Sequence, residues 1–179
     1  MIIVLLSLWL APKSLLAQTA APDSLLTLDR LFGSDDFTAQ TYGPTRWLAS
    51  GGYTTLETSE SESGARDIVR HDPTTGRQEV LVSAKSLVPP GQPTALEIED
   101  YDWSSDRSRL LVFTNTKRVW RRNTRGDYWV LDLQSGDLIQ LGRFAEPSRL
   151  MFAKFSPDGD RVAYVYRNNI YVESLDDGG

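Results

Sequence analysis

The chain has 179 residues, a formal net charge of -5, 40% hydrophobic and 24% charged residues, and no cysteine. Those values fit one globular unit or part of a larger one. They exclude a disulfide framework, a thiolate metal site and a cysteine nucleophile, and the acidic balance argues against a general polyanion binder.

In chain order, the first feature is an apolar run, Ile2 to Ala11, followed by small residues at Ala17, Ala20 and Ala21. The run is short for a spanning helix, and the small residues suit signal-peptidase cleavage. Residues 1–21 are therefore read as a signal peptide, with a retained anchor as the alternative, although no Lys or Arg precedes the run. The expected product is secreted or periplasmic. Residues 22–37 follow as an N-terminal helix and linker. In "DSLLTLDRLFGSDDF", Leu25, Leu28, Leu31 and Phe32 have helical spacing, with Asp23 or Ser24 as N-cap and Gly33 as the stop.

From residue 38 to 179 the pattern is all-β. Short runs rich in Val, Ile, Tyr, Trp and Leu alternate with Gly, Asp, Ser, Asn and Pro clusters, and "SLVPPGQPTA" reads as a loop between two groups. The strands repeat. "YDWSSDRSRLLVFT" and "AKFSPDGDRVAYVY" match with Asp106 and Asp158 lying 52 residues apart. A second element occurs three times, as "DIVRHDPTTG", "DYWVLDLQSG" and "NIYVESLDDG". It predicts a strand, a tight turn whose Gly accepts positive φ, and a returning strand. Repeats of about 50 residues built from antiparallel strands are the signature of propeller blades. The rival is a β-sandwich with similar turns. The repeats predict about three blades, where closed propellers have about four to eight, so a partial propeller with raw strand edges is expected.

The most charged segment is "TKRVWRRNTRGDYWVLD", which places Lys117, Arg118, Arg121, Arg122 and Arg125 around Trp120. Together with "SPDGDRVAYVYRNNIYVESLDDGG", "EDYDWSSDRSRLLVFTNT" and "LTLDRLFGSDDF" it closely resembles the N-terminal propeller of the dipeptidyl-peptidase IV family, in the prolyl-oligopeptidase clan of serine peptidases. The Ser-Pro-Asp-Gly turn is common to many propellers; the Lys/Arg-x-x-Trp-Arg stretch followed by Asn-x-Ile-Tyr-Val is the specific part.

The resemblance implies an eight-bladed propeller capping a C-terminal α/β-hydrolase domain. The active site lies between them and releases Xaa-Pro or Xaa-Ala dipeptides from peptides with a free N-terminus. The family's catalytic Ser, Asp and His belong to the hydrolase domain, and its glutamate pair for the substrate ammonium would fall beyond Gly179. Of the family's functional set, only the arginine of a Trp-Arg step maps here, at Arg121. Its guanidinium can hold a carbonyl and carboxylates at once, so Arg121 is the one substrate-binding residue expected. No catalytic residue, metal site or cofactor is expected. There is no Gly-x-Ser-x-Gly elbow in the chain, and His71 precedes a turn. Glu97, Glu99 and Asp100 do not form the glutamate pair.

The remaining cations, Lys117, Arg118, Arg122 and Arg125, read as solubilising charges on strand ends and loops, and Trp120 as a packing and positioning residue. Trp103, Phe155, Tyr128, Trp129, Tyr164 and Tyr171 read as core between blades. Asp106 and Asp158 read as turn formers. The expectation is the propeller portion of a dipeptidyl-peptidase IV-like exopeptidase, inactive by itself, which gates and helps bind substrate. The alternative is a non-enzymatic periplasmic propeller scaffold. The expected partners are a peptide with a free N-terminus and the hydrolase domain, with a homodimer of the full-length protein left open and no nucleic acid.

Overall fold

The computed structural model describes residues 26–39 and 43–175. The expected signal segment, Asp23, Ser24 and the last Gly-Gly pair lie outside them. Within residues 26–39 one short helix forms, α1 (Leu28–Phe32), capped by the Thr27 hydroxyl, which accepts from the Arg30 amide at 3.2 Å. Gly33 closes it as expected, donating its N–H to the Asp29 carbonyl at 2.7 Å. The cap is therefore Thr27, since its hydroxyl meets the first free N–H groups of the helix. Among the described residues no helix is long and apolar enough to cross a membrane.

Tyr42–Gly179 is a compact unit of its own, and its described part is three antiparallel sheets. The first contains β1 (Arg46–Trp47), β2 (Tyr53–Thr58), β3 (Arg66–His71) and β4 (Gln78–Val82). The second contains β5 (Asp100–Trp103), β6 (Arg109–Val119), β7 (Arg122–Asp132) and β8 (Leu138–Gln140). The third has β9 (Met151–Phe155), β10 (Arg161–Tyr166) and β11 (Asn169–Ser174). In every sheet the strands pair in chain order, as successive hairpins. The connection after β4 starts with a 3₁₀ turn, Ala84–Leu87, so the "SLVPPGQPTA" loop is irregular only from Val88 onward.

The sheets stack as blades, and the middle one shows why. Side chains along a strand point alternately to the two faces. Leu110 and Val112 of β6 join Ile68, Val82, Leu87 and Ile98 in one core against the first sheet. Leu111 and Phe113, the residues between, join Leu150, Val162, Tyr164 and Tyr166 in a second core against the third sheet. A strand buried on both faces reads as a continuous apolar run, which is what "LLVF" is. In β10, by contrast, Val162, Tyr164 and Tyr166 are buried while the residues between them are less so. Tyr128 and Tyr164 are buried, and Trp103, Trp129, Phe155 and Tyr171 pack against the cores, so the aromatics read as core are core. The architecture is a partial β-propeller, not a sandwich.

The repeats are the same turn built again. Ser104 and Ser156 each donate a side-chain hydrogen bond to the aspartate two residues on, at 2.7 Å to Asp106 and 2.5 Å to Asp158. Each serine oxygen also accepts the amide five residues on, from Arg109 at 2.9 Å and Arg161 at 3.0 Å. In the second element, Asp72 and Asp132 accept the amides of Thr74 and Gln134 at 2.8 and 2.9 Å. The turn ends at Gly76 (φ 70°) and Gly136 (φ 80°), in the left-handed region that glycine adopts without strain.

These bonds set the acid response. The Ser104 hydroxyl, then the Ser108 amide and hydroxyl, lower the Asp106 carboxyl to about 2. Asp158 is lowered first by Ser156, Asp72 first by Thr75, and Asp132 first by the Ser135 amide. A carboxyl lowered on folding binds more protons in the unfolded chain, so its stabilisation is present above its unfolded value of about 3.9 and is lost as pH falls through the folded value. The urea midpoint is expected to hold down to about pH 4.5 and to fall between about pH 4 and 2. Asp106→Asn should make that fall shallower; an unchanged slope would assign the acid sensitivity elsewhere.

Candidate functional site

The first strands of the three sheets, β1, β5 and β9, are tied to one another by charge. Arg46 Nη2 meets Asp100 Oδ1 at 2.7 Å and its Nε lies 4.0 Å from Asp102. Lys154 Nζ reaches Asp102 Oδ2 at 3.3 Å. Arg46 also stacks over the Tyr101 ring, 5.4 Å from its centroid. Beneath it the Tyr101 hydroxyl shares a buried 2.8 Å hydrogen bond with Thr54 across the two sheets, and burial raises its pKa. Arg46, Asp100, Tyr101, Asp102 and Lys154 line an open cavity of about 270 Å³, whose apolar wall includes Leu111, Phe113, Tyr128 and Phe152.

Over this cavity stands the β6–β7 hairpin. Its strands continue to Val119 and from Arg122, well beyond their short neighbours β5 and β8. Lys117 and Arg125 therefore lie inside strands, while Arg118 and Arg122 sit at the strand ends beside the tip, as expected. The pairing irregularity between Thr114 and Arg118, with Asn115 at φ 46°, bends the extension. Arg122, Asn123 and Thr124 line the cavity, and Asn123 Nδ2 donates to Glu99 Oε1 at 2.9 Å.

At the root, Asp127 is a double brace. One carboxylate oxygen accepts the Ser148 amide at 2.6 Å and the other accepts Asn115 Nδ2 at 2.7 Å. Asp67 does the equivalent in the first sheet, accepting the Ala84 amide at 2.7 Å. In the sequence both appear only as the polar residue that opens a repeat. The recurrence of Asp at that position is the signal that could have marked them as braces. The third copy has Asn169 there, and its side chain instead donates to the Arg167 carbonyl at 3.4 Å.

Trp120 and Arg121 form the tip, between the Val119–Arg122 pair. Trp120 is 94% exposed, which corrects its reading as a packing residue. A two-residue hairpin loop turns the chain too sharply for its side chain to fold back on the sheet. Trp120 also has φ 62°, a conformation a bulky residue seldom adopts. Arg121 is exposed beside it, outside the cavity lining, and makes no ion pair among the described residues. His71 hydrogen-bonds Thr55 at 2.7 Å and stacks on Tyr53 at 4.9 Å between centroids. Among the described residues no group of three His, Cys, Asp or Glu side chains is placed to hold a metal ion.

Residues 104–179 match the family model of the dipeptidyl peptidase IV N-terminal region. Together with the relatives that follow, this match supports an N-terminal region similar to that of the dipeptidyl peptidase IV family. Dipeptidyl aminopeptidase B of Saccharomyces cerevisiae is 36% identical over 95 residues, which is 53% of this chain and 11% of that protein. Prolyl endopeptidase FAP of Mus musculus is 27% identical over 137 residues, 76% of this chain and 16% of that one. The crystal structure of Porphyromonas gingivalis dipeptidyl peptidase 4 superimposes with a TM-score of 0.68 at 24% identity, covering 86% of this chain and 21% of the other. At that identity it establishes the fold alone. The chain thus spans between about a tenth and a fifth of the length of these three relatives.

Proposed function

We propose that this dipeptidyl peptidase IV-like chain is the substrate-gating propeller portion of an exported serine exopeptidase that releases Xaa-Pro or Xaa-Ala dipeptides. Arg121 holds the substrate near its N-terminus. The observation that carries this reading is the hairpin tip: a strained, exposed Trp-Arg step on an extension that the adjoining strands do not share. Strain of this kind persists only where the surrounding structure enforces it, and it collects at functional sites. A guanidinium with no ionic partner among the described residues is free to bind a carbonyl and carboxylates brought to it.

The chain carries no nucleophile elbow, so purified alone it should not turn over a chromogenic Xaa-Pro substrate. In the intact enzyme, Arg121→Gln should lower kcat/KM for that substrate about 10- to 100-fold, the worth of a charged hydrogen bond of about 1.5–3 kcal/mol. An unchanged kcat/KM would remove Arg121 from the site. Turnover by the isolated chain would overturn the division of labour with a hydrolase domain. Export is tested separately, by finding the mature N-terminus after residue 21.

A further inference from the structure

The hairpin's other cations and the bulge facing them are not used by that reading. The root of the hairpin is joined to the segment leading into β9 by a pair of backbone hydrogen bonds, Gly126 N–H to Leu150 carbonyl and Leu150 N–H to Gly126 carbonyl, both 3.0 Å. Two cavities touch both β7 and β9 here. The first is the one already described, which Arg122 enters. The second, about 290 Å³, is lined by Arg125, Arg149 and Arg167 with a single carboxylate, Glu146. Glu146 pairs with Arg167 at 2.7 Å and Arg149 at 3.2 Å. Arg122 and Arg125 are left with no ion pair among the described residues, as are Lys117 and Arg118 farther along the extension. In a chain of net charge -5, positive charge is concentrated on this one element, and such a patch draws anionic partners.

The second observation is Phe152. Between the pairs Ala163–Lys154 and Val165–Met151, two residues of β9, Phe152 and Ala153, face Tyr164 alone. That is a β-bulge, a device that re-aims a side chain. Phe152 has φ 58° and is 62% exposed at the wall of the first cavity. A strained backbone thus presents an aromatic face to solvent beside arginines lacking ionic partners.

We propose that this surface docks an acidic peptide segment, with an aromatic or branched apolar side chain seated on Phe152 and flanking carboxylates held by Arg122 and Arg125. Single carboxylates suit the arrangement better than a phosphate backbone does, because Asp100, Asp102 and Glu146 interrupt the cationic surface and would repel a continuous polyanion. Nothing in this site requires a free N-terminus, so it is separate from the Arg121 role.

The test uses the intact protein and a fluorescein-labelled, N-acetylated peptide of pattern Asp-Glu-Phe-Asp-Glu, read by anisotropy. Acetylation removes any contribution from N-terminus recognition. The acidic peptide should bind about tenfold or more tightly than its Asn-Gln-Phe-Asn-Gln analogue, and should weaken about tenfold between about 50 and about 300 mM salt. Arg122→Gln and Arg125→Gln should each weaken it about three- to tenfold, and Phe152→Ala about tenfold. All three side chains are at the surface or cavity wall, and unaltered urea unfolding verifies each variant's fold. Equal binding of the neutral analogue, no binding of the acidic peptide, or full affinity in the variants would overturn the proposal. So would displacement of the peptide by a lower concentration of single-stranded oligonucleotide, which would assign the surface to nucleic acid.

Discussion

Leu110→Ala is expected to remove about 2–5 kcal/mol of folding free energy, toward the upper end of that range. Leu110 is fully buried in β6, where it pairs with Trp103 on one side and Leu131 on the other. Its side chain fills the core between the first and second sheets with Ile68, Val82, Leu87 and Ile98. Two features keep the hole open. The walls are hydrogen-bonded sheets that cannot close independently, and the sheets are also joined by the Tyr101–Thr54 hydrogen bond and the Arg46–Asp100 ion pair. A cavity that cannot relax retains the full loss of contacts in addition to the lost transfer free energy. Urea unfolding should show a lower midpoint at nearly constant slope. A loss below about 1 kcal/mol would mean the two sheets do not pack as a rigid pair.

The same residue shows what was legible in the sequence. "LLVF" between two turn-forming aspartates identifies a strand buried on both faces, because only a sheet with neighbours on each side has no solvent face to mark with polar residues. The Ser-x-Asp turns were equally readable, since their bonds run between residues two to five apart. The hairpin was less so. Cations at close intervals show no apolar alternation, so the sequence does not place Lys117 and Arg125 inside strands, yet here the strands run out beyond the sheet and need no buried face. Trp120 reads as a packing and positioning residue because a tryptophan usually packs. Only pairing of Val119 with Arg122 reveals that it must turn outward. Phe152 was hidden for a similar reason: a bulge adds one residue to a strand and reverses the face of those beyond it, which alternation alone does not disclose. The resemblance to the family singled out Arg121 by its Trp-Arg step. The partners of Asp67 and Asp127 lie 12 to 21 residues away along the chain, so the sequence marks these braces only by the recurrence of Asp at the start of the repeat.

Gly126→Ala is the second large effect, and it links stability to the hairpin. A Cβ at this position would overlap the Phe113 ring and lie 2.6 Å from the Thr114 carbonyl oxygen. Neither can give way cheaply. Phe113 is buried and stacked on Tyr128 at 4.7 Å between centroids, and Thr114 belongs to the partner strand just before the bend. The backbone of β7 would have to move out, away from β6, and with it the paired hydrogen bonds to Leu150. A forced insertion of this kind costs about 1–3 kcal/mol. Its local signature should be faster hydrogen exchange at the Leu150 amide, because opening there no longer requires global unfolding. Gly43→Ala serves as the control, since its Cβ would meet only ordinary contacts, Leu56 Cβ at 3.8 Å among them. It should change stability by less than about 0.5 kcal/mol. If the hairpin acts as proposed, Gly126→Ala in the intact enzyme also weakens both functions of the extension, lowering kcat/KM and acidic-peptide affinity together. Loss of stability with both functions intact would show that the root can loosen without moving the tip, and that the bend at Asn115, not the bridge at Gly126, aims Arg121.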